Sequence, residues 1–264
     1  MRRILYLSYD GLSDPLGQSQ ILPYLLALAE QGNHICIISA EKKAAYQQRK
    51  AALEALLSQQ EGRINWQPVF YTKKPPVLST LWDMSKIYRK ALRLYKHFPF
   101  DLIHCRSYIA ALLGKGLAKR FAAKWIFDMR GFWADERVEG GLWPQSQFLY
   151  RFLYRFFKKQ EKILLEAADA SIVLTHQAAQ EIGIWPVRLK QAPAVIPCCV
   201  DTQVFVPQGE ALSPQAPFRL VYLGSIGTWY LLHEMLDFFA CLRQHRPEAT
   251  FLFITTEAPQ SILA

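Results

Sequence analysis

ILYLSYDGLSDPLGQSQILPYLLALAEQGNHICIIS, residues 4–39, holds two apolar runs, Ile4-Leu5-Tyr6-Leu7 and Ile35-Cys36-Ile37-Ile38, separated by a Gly/Asp/Ser loop and a helical stretch. A strand that is apolar at successive positions, rather than at alternate ones, buries both of its faces. That is the condition of a parallel sheet with helices on both sides. The 4–39 stretch therefore reads as strand, helix, parallel strand, and the same unit recurs downstream. Further strands are expected at 64–71, 102–105, 125–129, 171–175 and 195–197. Helices are expected at 20–31, 42–60, 79–97, 108–121, 147–168 and 177–183. Alternation of this kind predicts an α/β fold, a doubly wound Rossmann-like parallel-sheet domain with right-handed crossovers.

The segment PQGEALSPQAP at 207–217 has three prolines, a glycine and no periodicity, and reads as a linker between a domain at 1–206 and a second stretch at 218–264. That second stretch repeats the opening pattern once, with a strand at 219–223, a loop at 224–229, a helix at 230–244 and a strand at 250–255. One such unit cannot cover both faces of its own strands, so an incomplete second Rossmann-like domain is expected.

The chain has 264 residues, 51% of them hydrophobic and 20% charged, which excludes disordered and fibrous classes. Its longest run without Asp, Glu, Lys or Arg is the fifteen residues of 15–29, interrupted by Pro23 and shorter than the ~20 apolar residues of a membrane span. The stretch after Met1-Arg2-Arg3 is also too short for a signal-peptide core, and a cytoplasmic protein is expected. Five cysteines (Cys36, Cys105, Cys198, Cys199, Cys241) form no C-x-x-C pair and read as reduced thiols. No metal and no cofactor is expected. The net charge of +9 is uneven: residues 1–212 carry +10 and residues 213–264 carry −1. A basic first part attracts phosphates, whether of a nucleic acid, an anionic lipid or a phosphorylated ligand.

Five segments could carry chemistry. In the first, 10–20, Gly17 followed by Gln18 just before a helix would offer free amides to phosphate or sugar hydroxyls; the alternative is a plain turn with Ser19 as helix N-cap. The second, IFDMRGFWADER at 126–137, gathers Asp128, Arg130, Asp135 and Glu136 with two aromatics at the end of a strand, where ligands bind in open α/β sheets. Its alternative is a set of surface ion pairs. In the third, His104 at a strand end is either an acid–base group or a satisfied structural histidine. The fourth, GSIGTWY at 224–230, would bring a diphosphate close to the backbone at Gly224 and Gly227, with Ser225 and Thr228 beside it. The fifth is the helix at 148–162, where aromatics alternate with Arg151, Arg155, Lys158, Lys159 and Lys162. Apolar residues at 149, 152, 153, 156, 157 and 164 fit a core-facing stripe; the alternative is a face lying on an anionic membrane. With its aromatics committed to the core this helix is no nucleic-acid groove, and no nucleic-acid partner is expected.

Taken in order, the chain resembles the family 4 glycosyltransferases. The resemblance is carried by YDGLSDPLGQSQILPYLLALAEQGN (9–33), DLIHCRSYIAALL (101–113), WIFDMRGFWADE (125–136), ADASIVLT (168–175), VIPCCVDTQVF (195–205) and RLVYLGSIGTWYLLHEMLDFF (219–239). It implies the two-domain GT-B fold, here the N-terminal domain and the start of the donor domain. It also implies a retaining transfer, of hexosyltransferase type, from a nucleotide-sugar donor to a glycan or lipid-linked acceptor in polysaccharide or glycolipid synthesis. Carried over by position, Arg130, Asp128 and His104 would be catalytic, and Gly17, Gln18, Asp135 and Glu136 would bind substrate. Gly224, Ser225, Gly227 and Thr228 would form the donor phosphate loop. Arg130 stands where many members have a histidine, and a guanidinium suits a clamp on phosphate rather than a base. The family's E-x7-E donor motif is absent from these residues. An acceptor-binding fragment without turnover is therefore the alternative reading. The basic first domain would suit an anionic membrane surface.

Overall fold

A computed structural model of the chain describes residues 1–75, 77–202, 205–206, 217–227 and 229–263. Two compact units are present, Met1–Asp135 with Phe152–Phe205, and Glu136–Arg151 with Val206–Ala264. Residues 207–216 of the expected linker, and Thr228 of the expected phosphate loop, lie outside the described residues.

The first unit is built on seven strands: β1 (Arg3–Ser8), β2 (His34–Glu41), β3 (Ile64–Phe70), β4 (Leu102–Arg106), β5 (Lys124–Asp128), β6 (Ala170–Val173) and β7 (Ala194–Val195). They form one sheet in the order β3-β2-β1-β4-β5-β6-β7, every neighbouring pair parallel. The chain winds outward from β1 to β3, crosses back, and winds the other way from β4. The reversal leaves β1 and β4 side by side, with Tyr6 opposite His104 and Ser8 opposite Arg106. At such a switch point the loops diverge and open a crevice at the carboxyl ends of the strands.

The apolar runs do what their pattern requires. On one face Ile4, Tyr6, Ile35 and Ile37 pack with Leu22 and Leu25 of α2 (Leu22–Glu30) and with Leu53 and Leu57 of α3 (Lys43–Ser58). On the other, Leu7 lies against Ile87 of α4 (Leu78–Tyr95) and Ile109, Ala110 and Leu113 of α5 (Ser107–Phe121). Both faces are thus covered, as a parallel sheet needs.

Local structure departs from expectation at three places. A separate short helix, α1 (Pro15–Gln20), precedes α2, so Gly17 sits inside a helix rather than before one. Pro15 occupies the first helical turn, where its fixed φ and missing N–H cost nothing. Ser19 is not a cap either, for its hydroxyl donates back to the Pro15 carbonyl. Gly17 is needed for closeness: a Cβ there would lie 2.0 Å from the Gly11 carbonyl oxygen. Secondly, the charged stretch after β5 is not all loop, since α6 covers Trp133–Glu139. Thirdly, α7 (Phe148–Ala167), which β6 and α8 (His176–Gly183) follow, does not bury its aromatic stripe. Phe157, Leu164 and Leu165 are buried, but Phe148, Leu149, Phe152 and Phe156 are exposed. Apolar residues cover too much of this helix's circumference for one contact face to hide them all.

In the second unit β8 (Arg219–Leu223) and β9 (Thr250–Ile254) pair in parallel, with α9 (Leu232–His245) between them in sequence. Phe251 packs on Phe239 of the helix at a ring separation of 5.2 Å. Val221, Leu223, Leu252 and Ile254, which alternate with the half-buried residues, are exposed.

Candidate active site

A cavity of about 630 Å³ opens at the switch point of the first unit, within the range of small-molecule sites. Its walls include Tyr6, Gln18, Gln20, Tyr24, His104, Arg106, Asp128, Arg130, Cys198 and Cys199. The strands place these side chains by register. His104 and Arg106 are two residues apart on β4 and so share a face, while Asp128 ends β5 directly beside Arg106.

Asp128 stands at the centre. Its Oδ2 faces His104 Nε2 at 3.4 Å, and its Oδ1 lies 3.8 Å from Arg130 Nη1. The carboxylate is almost entirely buried, yet Oδ1 receives no hydrogen bond from the described residues. A buried acceptor without a donor is costly unless a ligand supplies one. His104 is itself buried, packed between the rings of Tyr6 and Tyr24 at 4.8 and 5.8 Å.

Arg130 takes a left-handed backbone conformation, φ 66°, which non-glycine residues adopt at a cost. That turn ends β5 and brings the guanidinium back beside Asp128. Its Nη2 donates to Gln20 Oε1 at 2.9 Å and to Cys198 Sγ at 3.4 Å. Arg106, buried at the end of β4, donates from Nη2 to the same Gln20 oxygen at 3.1 Å and from Nε to Asp10 Oδ2 at 3.4 Å. One amide oxygen thus spaces two guanidiniums, whose five N–H donors each leave several for a ligand. Burial, and then the Asp128 charge, push the Tyr6 hydroxyl well above its ordinary pKa, against the pull of Arg106 and Arg130. Tyr24 is raised for the same first two reasons. Both phenols stay protonated and act as donors. The arrangement can accept a hydrogen bond from a sugar hydroxyl at Asp128 and hold an anionic oxygen at the arginines.

Of the residues singled out from sequence, Asp128, Arg130, His104 and Gln18 come together here. Asp135 does not line the cavity: its carboxylate accepts from Tyr154 at 2.9 Å and Lys158 at 2.7 Å. Glu136 does not line it either, and its carbonyl accepts the Trp229 indole N–H at 2.8 Å. Gly17 lies behind the wall, and the amides of the loop before it are already taken. Leu12 and Ser13 N–H donate to the buried Glu41 carboxylate at 2.8 and 3.1 Å. Arg106 and Gln20 were missed. The polar alternation His104-x-Arg106 at a strand end was the available signal for the arginine; nothing local marked Gln20. In the second unit Gly224, Ser225 and Gly227 lie between β8 and α9, with Gly227 at φ 94° and the Ser225 carbonyl accepting from Tyr222. Among the described residues no group of His, Cys, Asp and Glu is arranged to hold a metal ion.

The family model for Glycosyltransferase Family 4 matches residues 23–204, more than half of the chain. The chain belongs to that family. Solved structures agree on its fold. Sucrose-phosphate synthase from Thermosynechococcus elongatus superposes with a TM-score of 0.62 at 17% identity, covering 98% of this chain and 64% of its own. Anabaena HepE, in complex with UDP and glucose, gives 0.61 at 13% identity, covering 100% of this chain and 64% of its own. The lipopolysaccharide outer core galactosyltransferase WaaB gives 0.56 at 11% identity, with coverages of 98% and 63%. No curated protein matches the sequence significantly. The fold is the Rossmann-like GT-B architecture, and the chain spans under two thirds of the length of these structural neighbours. No described helix is long and apolar enough to cross a membrane.

Proposed function

We propose that the protein is part of a retaining hexosyltransferase that moves a sugar from a nucleotide-sugar donor to a glycan or lipid-linked acceptor, in the synthesis of a polysaccharide or glycolipid. The observation that carries this reading is the buried Oδ1 of Asp128, which accepts no hydrogen bond from the described residues, on a carboxylate set between His104 and Arg130 in the cavity of a family 4 chain. HepE, which shares the fold, is described in complexes with UDP and UDP-glucose, which supports a donor of that kind. In this reading Asp128 accepts the hydrogen bond of the acceptor hydroxyl, and His104 orients the carboxylate. Arg106 and Arg130 hold an anionic oxygen of the leaving diphosphate or of the acceptor. The anomeric carbon loses its bond to the phosphate oxygen and gains one to the acceptor oxygen, while the acceptor proton passes to the departing diphosphate. Gly224, Ser225 and Gly227 would meet the donor's phosphates, with Thr228 beside them. The enzyme would work in the cytoplasm, peripheral to an anionic membrane face.

The test is transfer of radiolabelled sugar from a panel of nucleotide sugars by the intact protein from its native source. Arg130→Ala should lower turnover at least a hundredfold, in line with the loss of one electrostatic contact in a transition state; unchanged turnover removes Arg130 from the site. For the 264 residues alone we propose acceptor binding without turnover, a reading favoured by their 64% coverage of the neighbouring enzymes.

A further inference from the structure

The first turn of α4 carries an exposed apolar patch. Leu78, Leu81 and Trp82 are 63%, 55% and 57% exposed, and the spacing i, i+3, i+4 puts them on one side of the helix. Val77 and Tyr71 are exposed beside them in sequence. Cations flank the patch in sequence. Lys73 and Lys74 precede the helix and are exposed, and the Arg89 guanidinium lies 5.5 Å from the Trp82 ring. Further along the helix Arg93 and Lys96 are also exposed. Between residues 70 and 96 the single carboxylate is Asp83. It is fully buried and bound by Tyr9, Thr72 and Lys86, so it offers no negative charge to the surface.

We infer that this end of α4, with Lys73 and Lys74, seats the first unit on an anionic lipid bilayer, Leu78, Leu81 and Trp82 entering the headgroup boundary. An aromatic and aliphatic cluster flanked in sequence by cations, with no exposed acid between residues 70 and 96, complements that interface in both hydrophobicity and charge. The position suits the cavity. α4 starts at the carboxyl ends of the strands, where the cavity opens, and Asp83 ties it to the Tyr9 hydroxyl at 3.0 Å. Tyr9 adjoins Asp10, the partner of Arg106 in the cavity wall. A bilayer bound here lies at the edge of the sheet that holds Asp128 and Arg130. The inference rests on the membrane-facing part of the proposed function and gives it a location. The exposed Phe152 and Phe156 of α7 are the competing surface.

Vesicle co-sedimentation of the intact protein decides it, with phosphatidylcholine vesicles against phosphatidylcholine mixed with phosphatidylglycerol. Binding is expected only to the anionic vesicles and weakens as salt rises. L81S/W82S should lower partitioning tenfold or more, and K73Q/K74Q by on the order of twentyfold, while F152S/F156S leaves it unchanged. All of these positions are exposed, so unchanged circular dichroism melts serve as the folding control. Binding without preference for anionic lipid, binding that survives L81S/W82S, or loss confined to F152S/F156S would overturn the inference. The vesicles contain neither donor nor acceptor, so the outcome is independent of sugar transfer. A protein that binds as stated but transfers no sugar refutes the transferase reading alone.

Discussion

Glu41 is the perturbation whose effect follows most directly from the structure. Its carboxylate is 0% exposed and accepts four hydrogen bonds, from the amides of Leu12 and Ser13 and the hydroxyls of Ser13 and Ser39. The loop that closes the carboxyl end of β1 is therefore pinned to the end of β2. Glu41→Ala removes every acceptor at once. The two hydroxyls can rotate to other partners, but the two buried amides cannot. At about 1–3 kcal/mol for each unsatisfied donor, plus a small cavity, the loss comes to ~4 kcal/mol. Glu41→Gln keeps one oxygen and turns an NH2 toward donors, so it should cost about half as much, ~2 kcal/mol. With a urea slope of about 3 kcal/mol/M, the alanine variant's midpoint falls by ~1.3 M. Amide hydrogen exchange gives the local readout, with Leu12 and Ser13 protected in the wild type and fast in Glu41→Ala. Gly11→Ala adds a check, because its Cβ would lie 2.6 Å from Glu41 Oε2. Its cost should be smaller in the Glu41→Ala background than in the wild type. A Glu41→Ala midpoint within ~0.3 M of the wild type, or freely exchanging Leu12 and Ser13 amides in the wild type, would refute the reasoning.

Other outcomes follow from the same geometry. Burial alone would raise the Asp83 carboxyl, but hydrogen bonds from Lys86, Thr72 and Tyr9 outweigh it and hold the group below its ordinary value. The folded state then binds fewer protons than the unfolded one, so this stabilisation is present above the unfolded carboxylate pKa of about 3.9 and is lost as pH falls. Asp83→Asn should flatten the acid limb of a stability–pH curve, leaving the parts due to Asp101 and Asp169, which are also held low. Arg130→Gly relieves a left-handed backbone but gives up an ion pair, so stability should change by less than about 1 kcal/mol, while on the proposed function sugar transfer by the intact protein collapses; calorimetry and a transfer assay separate the two. N-ethylmaleimide followed by mass spectrometry should label Cys198, Cys199 and Cys241 in the native protein and spare Cys36 and Cys105. Burial pushes the Cys36 thiol up to about 12, which removes the reactive thiolate as well as the access.

The sheet was legible because continuous apolar runs leave few alternatives: β1 and β2, read from the sequence as strands at 4–9 and 34–39, came within two residues of their observed ends. What misled was local punctuation. Gly17 reads as a break, but it is a close contact between α1 and the Gly11 backbone six residues earlier, which depends on how the loop folds back and not on residue type alone. The α7 aromatics have a period that fits burial, but a period does not say which part of a broad apolar surface meets the sheet. Exposure of Phe152 and Phe156 depends on where Leu164 and Leu165 dock. At the site, Asp128 and Arg130 announced themselves as charges at a strand end. Asp135, in the same cluster, turned away to Lys158 because α6 rotates it off the crevice. Gln20, at the end of α1, joins the cavity wall only through two arginines far away in sequence, one ending β4 and one in the turn after β5.

The contacts that build the cavity join residues 86, 96 and 110 positions apart, Arg106 to Gln20, Arg106 to Asp10 and Arg130 to Gln20. Loop closure over such spans precedes any gain from the contacts, so the cavity forms late, after β1, β4 and β5 are aligned. No partly folded form of the unit can hold it. A ligand that binds between Gln20, Arg106 and Arg130 therefore selects the fully assembled sheet, and by mass action stabilises all of it against unfolding. Occupancy of the site and integrity of the whole first unit become one equilibrium. A shift in melting temperature on adding a candidate sugar nucleotide or acceptor would then be a sensitive first screen for what this cavity holds.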